Sequence, residues 1–404
     1  MAITDTFSRS REVFAGSLGT LLLALFGLLL LTDLTLKLAA IELGPFGGNL
    51  AFSSLRSNAW NGTVVGLVLG LGGIGLSMTY SVLTFANFSH GDLLTLGGFS
   101  GWGVAYLIAG WGAVPASILV LVRPGGASNP GEIGAHITQT PGALLAGLVV
   151  AAAFTALAAI VIDRLVYKPM RDRSGIALLI ASIGVALALR YIMVFFYGTR
   201  NRGVTASVDT EVVNWSLNVG SYLVGFRGSS VGIYRETLIE QQLEIVSVLA
   251  LSTHRVTVVV AAIVLMFFMH LLLQRTKLGT AMRAMADNKD LALITGIPTE
   301  RIVTATWVIG ASLAGMAGYL TVMFQGAIAF DFGWQLLLLV FAAVILGGIG
   351  SIYGAIVGGL VIGLVFAMST IWIPADFNEA AAFLAMILAL LYRPEGLFRG
   401  VTTA

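Results

Sequence analysis

The chain holds 404 residues, 57% apolar and only 10% charged, with a formal net charge of +2 and a mean hydropathy of +0.94. Soluble domains run near a quarter charged, so an ordinary soluble enzyme is excluded and a polytopic membrane protein is indicated. The lack of cysteine excludes disulfides and thiolate metal sites, and the near-zero net charge gives no nucleic-acid-binding surface.

Ten apolar runs follow in order, at about 13–36, 60–84, 91–110, 143–167, 176–197, 255–273, 302–323, 336–348, 353–372 and 379–392. They are continuous rather than alternating, which favours helices over membrane strands. An all-α transmembrane bundle of about ten spans is expected, or eight if the short runs 336–348 and 379–392 do not cross. Glycine, 49 residues in all, suits closely packed membrane helices. The first run exceeds the h-region of a signal peptide and is read as a retained helix.

Between the second and third runs lie Asn87, Ser89, His90 and Asp92, polar residues crowded into an apolar chain. Ser89 with Asp92 fits a capping box for the next helix; the alternative is that the four line a polar pathway. The loop 111–142 is rich in proline and glycine, hence in turns. Arg164, Lys168, Arg171 and Arg173 crowd one short loop, and Arg275, Lys277, Arg283, Lys289 and Arg301 another. By the positive-inside rule both loops are cytoplasmic, and counting outward places both termini on the same side.

Arg190 interrupts an apolar run. It either snorkels to the interface or serves the pathway as an intramembrane charge. The outer loop 198–254 carries Glu236, Glu240 and Glu244 at four-residue spacing, which on a helix make one acidic face. The segment 274–301 predicts a short helix capped by Thr280 or Gly279 and ended by Gly296. Its face of Met282, Met285 and Ala286 is suited to the membrane surface or a partner's groove. Gly62, Gly66 and Gly70, and likewise Gly350, Gly354 and Gly358, repeat every four residues and predict close helix packing.

No catalytic constellation, Walker loop or metal-ligand cluster emerges, so no enzyme activity, metal site or cofactor is expected on this chain. A self-sufficient secondary transporter would place several ionisable groups at mid-membrane, and only Arg190 qualifies.

Several motifs carry a family resemblance. Asn87-Phe88-Ser89-His90-Gly91-Asp92 is similar to an Asn-Phe-Ala-His-Gly-Glu signature, with Ser89 and Asp92 as departures. Val166-Tyr167-Lys168-Pro169-Met170-Arg171, the stretch from Lys277 to Ile297, Leu346-Gly347-Gly348-Ile349-Gly350-Ser351 and Tyr392-Arg393-Pro394-Glu395-Gly396-Leu397-Phe398 follow in the right order. Tyr353 departs where proline is usual. Together they resemble the permease subunits of branched-chain amino acid ABC importers, and more narrowly the shorter of that family's two permease types.

The resemblance implies a bundle similar to that of the vitamin B12-type importers. It implies as partners two cytoplasmic ABC ATPase subunits, a second permease and an extracytoplasmic substrate-binding protein, in a cell membrane. The ATPase-coupling loop would comprise Gly279, Ala281, Arg283, Ala284, Asp287, Asn288, Leu291, Ala292 and Gly296. Members of the family carry branched-chain amino acids, urea or short amides, so the cargo stays open among small polar solutes.

Overall fold

Backbone groups in hydrocarbon have no water to bond and are satisfied within helices, and the long apolar runs of this chain fold accordingly. The computed structural model describes residues 21, 24–112, 133, 135–204, 214–219, 222–227, 230–239 and 242–398. Helix α1 covers 24–38. It is followed by a small hairpin, β1 Glu42–Leu43 with β2 Phe46–Gly47, then α2 Phe52–Leu83, α3 Ser89–Ala109, α4 Pro141–Ile162 and α5 Gly175–Tyr197. Beyond the strands of the next loop come α6 Thr253–Arg275, the short α7 Lys277–Asp287 and α8 Lys289–Ile294, and the long α9 Thr299–Gln325. Helices α10 Phe332–Gly347, α11 Ile352–Met368 and α12 Asn378–Tyr392 complete the bundle.

Among the described residues, seven helical stretches are long and apolar enough to cross a membrane. With α1, α3 and α10 they account for each of the apolar runs read from the sequence. Helices α2 and α9 bury most of their length, whereas α4, α5, α6 and α12 turn much of their surface outward. The two ends of the bundle differ in charge. The basic clusters at 164–173 and 275–301 share one end, the basic end, and the strand-bearing loop between α5 and α6 lies at the far end.

The far-end loop holds strands rather than an acidic helix. Strands β4 Asn214–Val219, β5 Tyr222–Arg227, β6 Ser230–Ile239 and β7 Gln242–Ser252 form an antiparallel meander. Glu236 pairs across from Ile245, and Glu244 across from Thr237, while Glu240 lies outside the described residues. The four-residue spacing misled because it does not by itself require a helix: Glu236 and Glu244 lie on two paired strands, and the segment is rich in Val and Ile, which favour strands. Strand β3, Arg202–Gly203, pairs with β8, Ala327–Ile328, and ties the start of this loop to the end of α9.

Small residues set the helix spacing. A Cβ on Gly62 would lie 2.8 Å from the Leu364 Cα, on Gly66 2.7 Å from the Leu360 Cα, and on Gly70 3.2 Å from the Ile356 Cα. The facing residues are Gly359 and Gly363, whose Cβ atoms would strike the backbone of Gly70 and Gly66. Helices α2 and α11 thus touch backbone to backbone. The other predicted ridge divides: Gly354 and Gly358 meet Gly347 and Ala343 of α10, and Gly350 lies before α11 in a turn at φ +91°. It belongs to no ridge, because the helix that would carry it starts two residues later.

Gly363→Leu is expected to prise α2 from α11 and cost more than the roughly 1–3 kcal/mol of ordinary overpacking. The obstacle is backbone, which cannot change rotamer. Gly103→Leu, on α3 with open space around it, is the control. Size-exclusion yield from detergent should collapse for the first variant and hold for the second.

Candidate functional site

Helix α3 starts inside the bundle rather than at its edge. The Phe88 amide donates to Ser182 Oγ at 3.0 Å. Ser182 lies seven residues into α5, about 10 Å along its axis. An internal helix start leaves amide donors without water, and Asn87 answers one of them. Its Oδ1 accepts from the Ser89 amide at 3.1 Å and the Ser89 hydroxyl at 2.7 Å. The Ser89–Asp92 capping box therefore does not form; Asn87 takes the capping role and Asp92 is committed elsewhere.

Tyr167 completes this cluster. Its hydroxyl donates to Asn87 Oδ1 at 3.2 Å and lies 3.1 Å from Ser89 Oγ, and its ring stacks on Trp307 at 4.8 Å. It is the last residue of a π-helical turn, Asp163–Tyr167, that continues α4. Such turns often occur at functional sites. Tyr167→Phe is expected to cost about 0.5–1.5 kcal/mol, one net hydrogen bond, with the stacked ring kept. Thermal unfolding measures that cost, and a transport loss well beyond it would mark the hydroxyl as part of the working cycle.

One turn further on, His90 Nε2–H donates to the Gly72 carbonyl of α2 at 3.0 Å. Asp92, fully buried, meets Arg190 of α5 in a two-pronged pair, Nε to Oδ1 and Nη2 to Oδ2, each 3.1 Å. Such fork-on-fork pairing is the strong form of the interaction. The Arg190 guanidinium also sits 4.7 Å from the Trp334 ring centroid on α10, a favourable placement for a desolvated cation. Arg190 does not snorkel: it is held by a carboxylate and an aromatic face. Of the five pathway residues read from the sequence, Asn87, Ser89, His90 and Asp92 thus lie at or just before the first turn of α3, and Arg190 reaches that turn from α5. Asn87, Ser89 and Tyr167 form one group, His90 binds α2, and Asp92 with Arg190 joins α3 to α5.

At the basic end, α7 and α8 make an elbow. Thr276, not Thr280 or Gly279, caps α7: its hydroxyl accepts from the Gly279 amide at 3.1 Å. Gly279 is in contact with the end of α6, where a Cβ would lie 2.6 Å from the Leu272 carbonyl oxygen and closer still to Leu273. The Met282 and Met285 side chains are buried against the chain's own bundle. The methionine face is therefore spent internally, not on a membrane surface or a partner. Arg283 turns back to donate to the Leu273 carbonyl at 2.7 Å and Gln274 Oε1 at 3.0 Å, which caps the C-terminal end of α6. Ala281 and Ala284 are half-buried and Asp287 is exposed.

Asn288 Oδ1 accepts from the Leu291 amide at 2.9 Å and starts α8. Ala292 is buried, and Gly296 at φ +83° ends the elbow with the Ile297 amide bonded back to Ala292. What faces outward is Leu291, Leu293 and Ile294, the last 80% exposed.

A clamp of charges lies beside the elbow. Arg171 grips Asp163 through one nitrogen, at 3.0 and 2.9 Å, and pairs with Glu300 at the start of α9. Burial works against the Arg171 charge, but Asp163 and Glu300 outweigh it and hold its pKa above the ordinary value. A cavity of about 260 Å³ is lined by Phe85, Tyr167, Arg171, Met285 and Asn288, among others. It brings the elbow, the clamp and the Asn87 cluster to one space.

Comparison with known proteins agrees. The family model described as "Branched-chain amino acid transport system / permease component" matches residues 58–392. The permease protein LivH of Salmonella typhimurium is 27% identical over 338 residues, 84% of this chain and 93% of its own. BraD of Pseudomonas aeruginosa is 27% identical over 337 residues, 83% of this chain and 93% of its own. LivM of Escherichia coli, also named a permease protein, is 31% identical over 139 residues, 33% of this chain and 32% of its own. No solved structure matches. With its polytopic helical bundle and a family model spanning most of its length, the chain belongs to the branched-chain amino acid transport permease family.

Proposed function

We propose that the chain is the membrane-spanning subunit of an ATP-driven importer in the inner membrane, and that its cargo is a branched-chain amino acid or a related small polar solute. Hydrolysis of ATP belongs to separate cytoplasmic subunits, and this chain needs no cofactor of its own. A second, homologous permease completes the pathway; the partial similarity to LivM as well as the long one to LivH supports that pairing. A substrate-binding protein docks at the far end. There a cavity of about 470 Å³ carries Asn201, Asp331, Gln335 and Glu379 among apolar residues.

The observation that carries this reading is the elbow of α7 and α8. Its methionines and Arg283 fasten it to the bundle, so it moves with the bundle. Yet it presents Leu291, Leu293 and Ile294 outward at the basic, cytoplasmic end. A ridge of adjacent exposed apolar side chains on such a loop suits a protein contact. The movement of an ATPase gripping this elbow passes by way of Tyr167 and Asn87 to the start of α3. The Asn87 Nδ2 amide is buried without a partner among the described residues, a donor available to a passing solute. The self-sufficient carrier is less well supported, because Asp92 and Arg190 satisfy each other and offer no charge to a coupling ion.

Affinity purification of the tagged chain from native membranes in mild detergent should recover an ATPase and a second permease. Ile294→Asp should abolish most of the ATPase recovery while leaving the yield of inserted chain unchanged, since Ile294 is 80% exposed. Recovery of the chain alone, confirmed by crosslinking, would favour the carrier.

A further inference from the structure

A groove of about 540 Å³ lies between the end of α4 and the start of α9, below α7. Its wall toward the membrane is apolar, with Ile160 on α4, Val308 and Ile309 on α9, and Leu278 on α7. Its mouth, at the basic end, carries Arg164, Lys168 and Arg301 against Asp163 and Glu300. The carboxylates are already taken. Asp163 is gripped by Arg171, and Glu300 by Arg171 and by Lys168 at 3.4 Å. Among the described residues no ion pair or side-chain hydrogen bond involves Arg164 or Arg301, and both are exposed. Two uncommitted guanidiniums therefore stand at the aqueous mouth of an apolar slot.

We propose that this groove binds an anionic phospholipid of the cytoplasmic leaflet. The phosphate would lie between Arg164 and Arg301, and an acyl chain along Ile160, Val308 and Ile309. Charge complementarity selects the headgroup, since a guanidinium fork fits a phosphate and basic pockets between helices at this depth bind anionic headgroups. The apolar wall selects an amphiphile over a soluble anion, for which it would be wasted. The site borders the Arg171–Glu300 clamp and the root of the coupling elbow, so the lipid would brace α4 against α9 where the elbow is fastened. The proposal takes the basic end as cytoplasmic, as in the reading above. The binding test does not depend on transport, so its failure leaves the coupling reading standing.

The test is native mass spectrometry of the purified full chain titrated with phosphatidylglycerol or with phosphatidylcholine of the same acyl chains. Phosphatidylglycerol should be retained in preference. Arg164→Gln with Arg301→Gln should weaken its retention roughly 30-fold, about a factor of five per charge, with phosphatidylcholine unchanged. Arg393→Gln, which removes a basic residue elsewhere at the same end, should have no effect. Equal retention of the two lipids, or full phosphatidylglycerol retention by the double variant, overturns the proposal.

The chain has no cysteine, which permits a second measurement with the charges intact. Thr304→Cys in the groove, labelled with a maleimide photocrosslinker in membranes, should capture lipid. Capture of a protein subunit instead would make the groove a protein interface and overturn the proposal.

Discussion

Arg190→Met is expected to destabilise the bundle by roughly 3–5 kcal/mol, because it leaves the fully buried Asp92 as a charge without a partner. Asp92→Leu should cost a similar amount by stranding Arg190, although the Trp334 ring retains part of the cation's stabilisation. The double variant should recover much of the loss, since replacing a buried pair with apolar groups is often neutral. Thermal unfolding of the three proteins in detergent gives the coupling energy directly. The transport assay then separates two roles. A double variant that is stable and transports normally reduces the pair to a structural link between α3 and α5. One that is stable and inactive places the pair on the solute's route.

Gly279→Val is expected to uncouple transport from ATP hydrolysis. Its side chain must displace the backbone at the end of α6, so α7 tips away and the outward ridge of Leu291, Leu293 and Ile294 shifts with it. The obstacle is again backbone, but α7 sits at the basic end rather than between two long helices and can tip away, so the stability cost should stay below that of Gly363→Leu. In proteoliposomes holding the complete importer, hydrolysis should continue while solute uptake falls to background. Normal uptake in a folded Gly279→Val protein would show that the elbow does not transmit the stroke.

Span order and the basic end were legible because both rest on long, local signals: runs of some 20 apolar residues and clustered arginines and lysines. The site was legible only as an inventory. Arg190 stood out as costly in lipid and Asp92 only as a cap or one of four crowded polar residues; they are 98 positions apart, and no local pattern pairs them. Tyr167 was visible inside a motif and carried no role there, because the π-helical turn that aims it at Asn87 has no distinct composition. The methionine face of α7 was correctly read as apolar. Amphipathicity tells which face is covered and not what covers it, and here the cover is the chain itself. The glycines of α2 were readable as a ridge, while their true opposites, Gly359 and Gly363, are out of step with the repeat that was read in α11.

The contact of α2 with α11 has a mechanical consequence. At Gly62, Gly66 and Gly70 the α11 backbone comes within 3.2 Å of where a Cβ would stand, so the joint leaves little room for side chains to repack. A joint this close leaves little room for either helix to shift on the other. Helix α9 meets α3 in the same way where Gly315 abuts Gly97, and α2 packs on α9 between them. These four helices therefore form a stiff keel. Alternating exposure of the solute to the two sides is then expected to come from tilting that keel as a whole, or from the outward-facing α6 and α12.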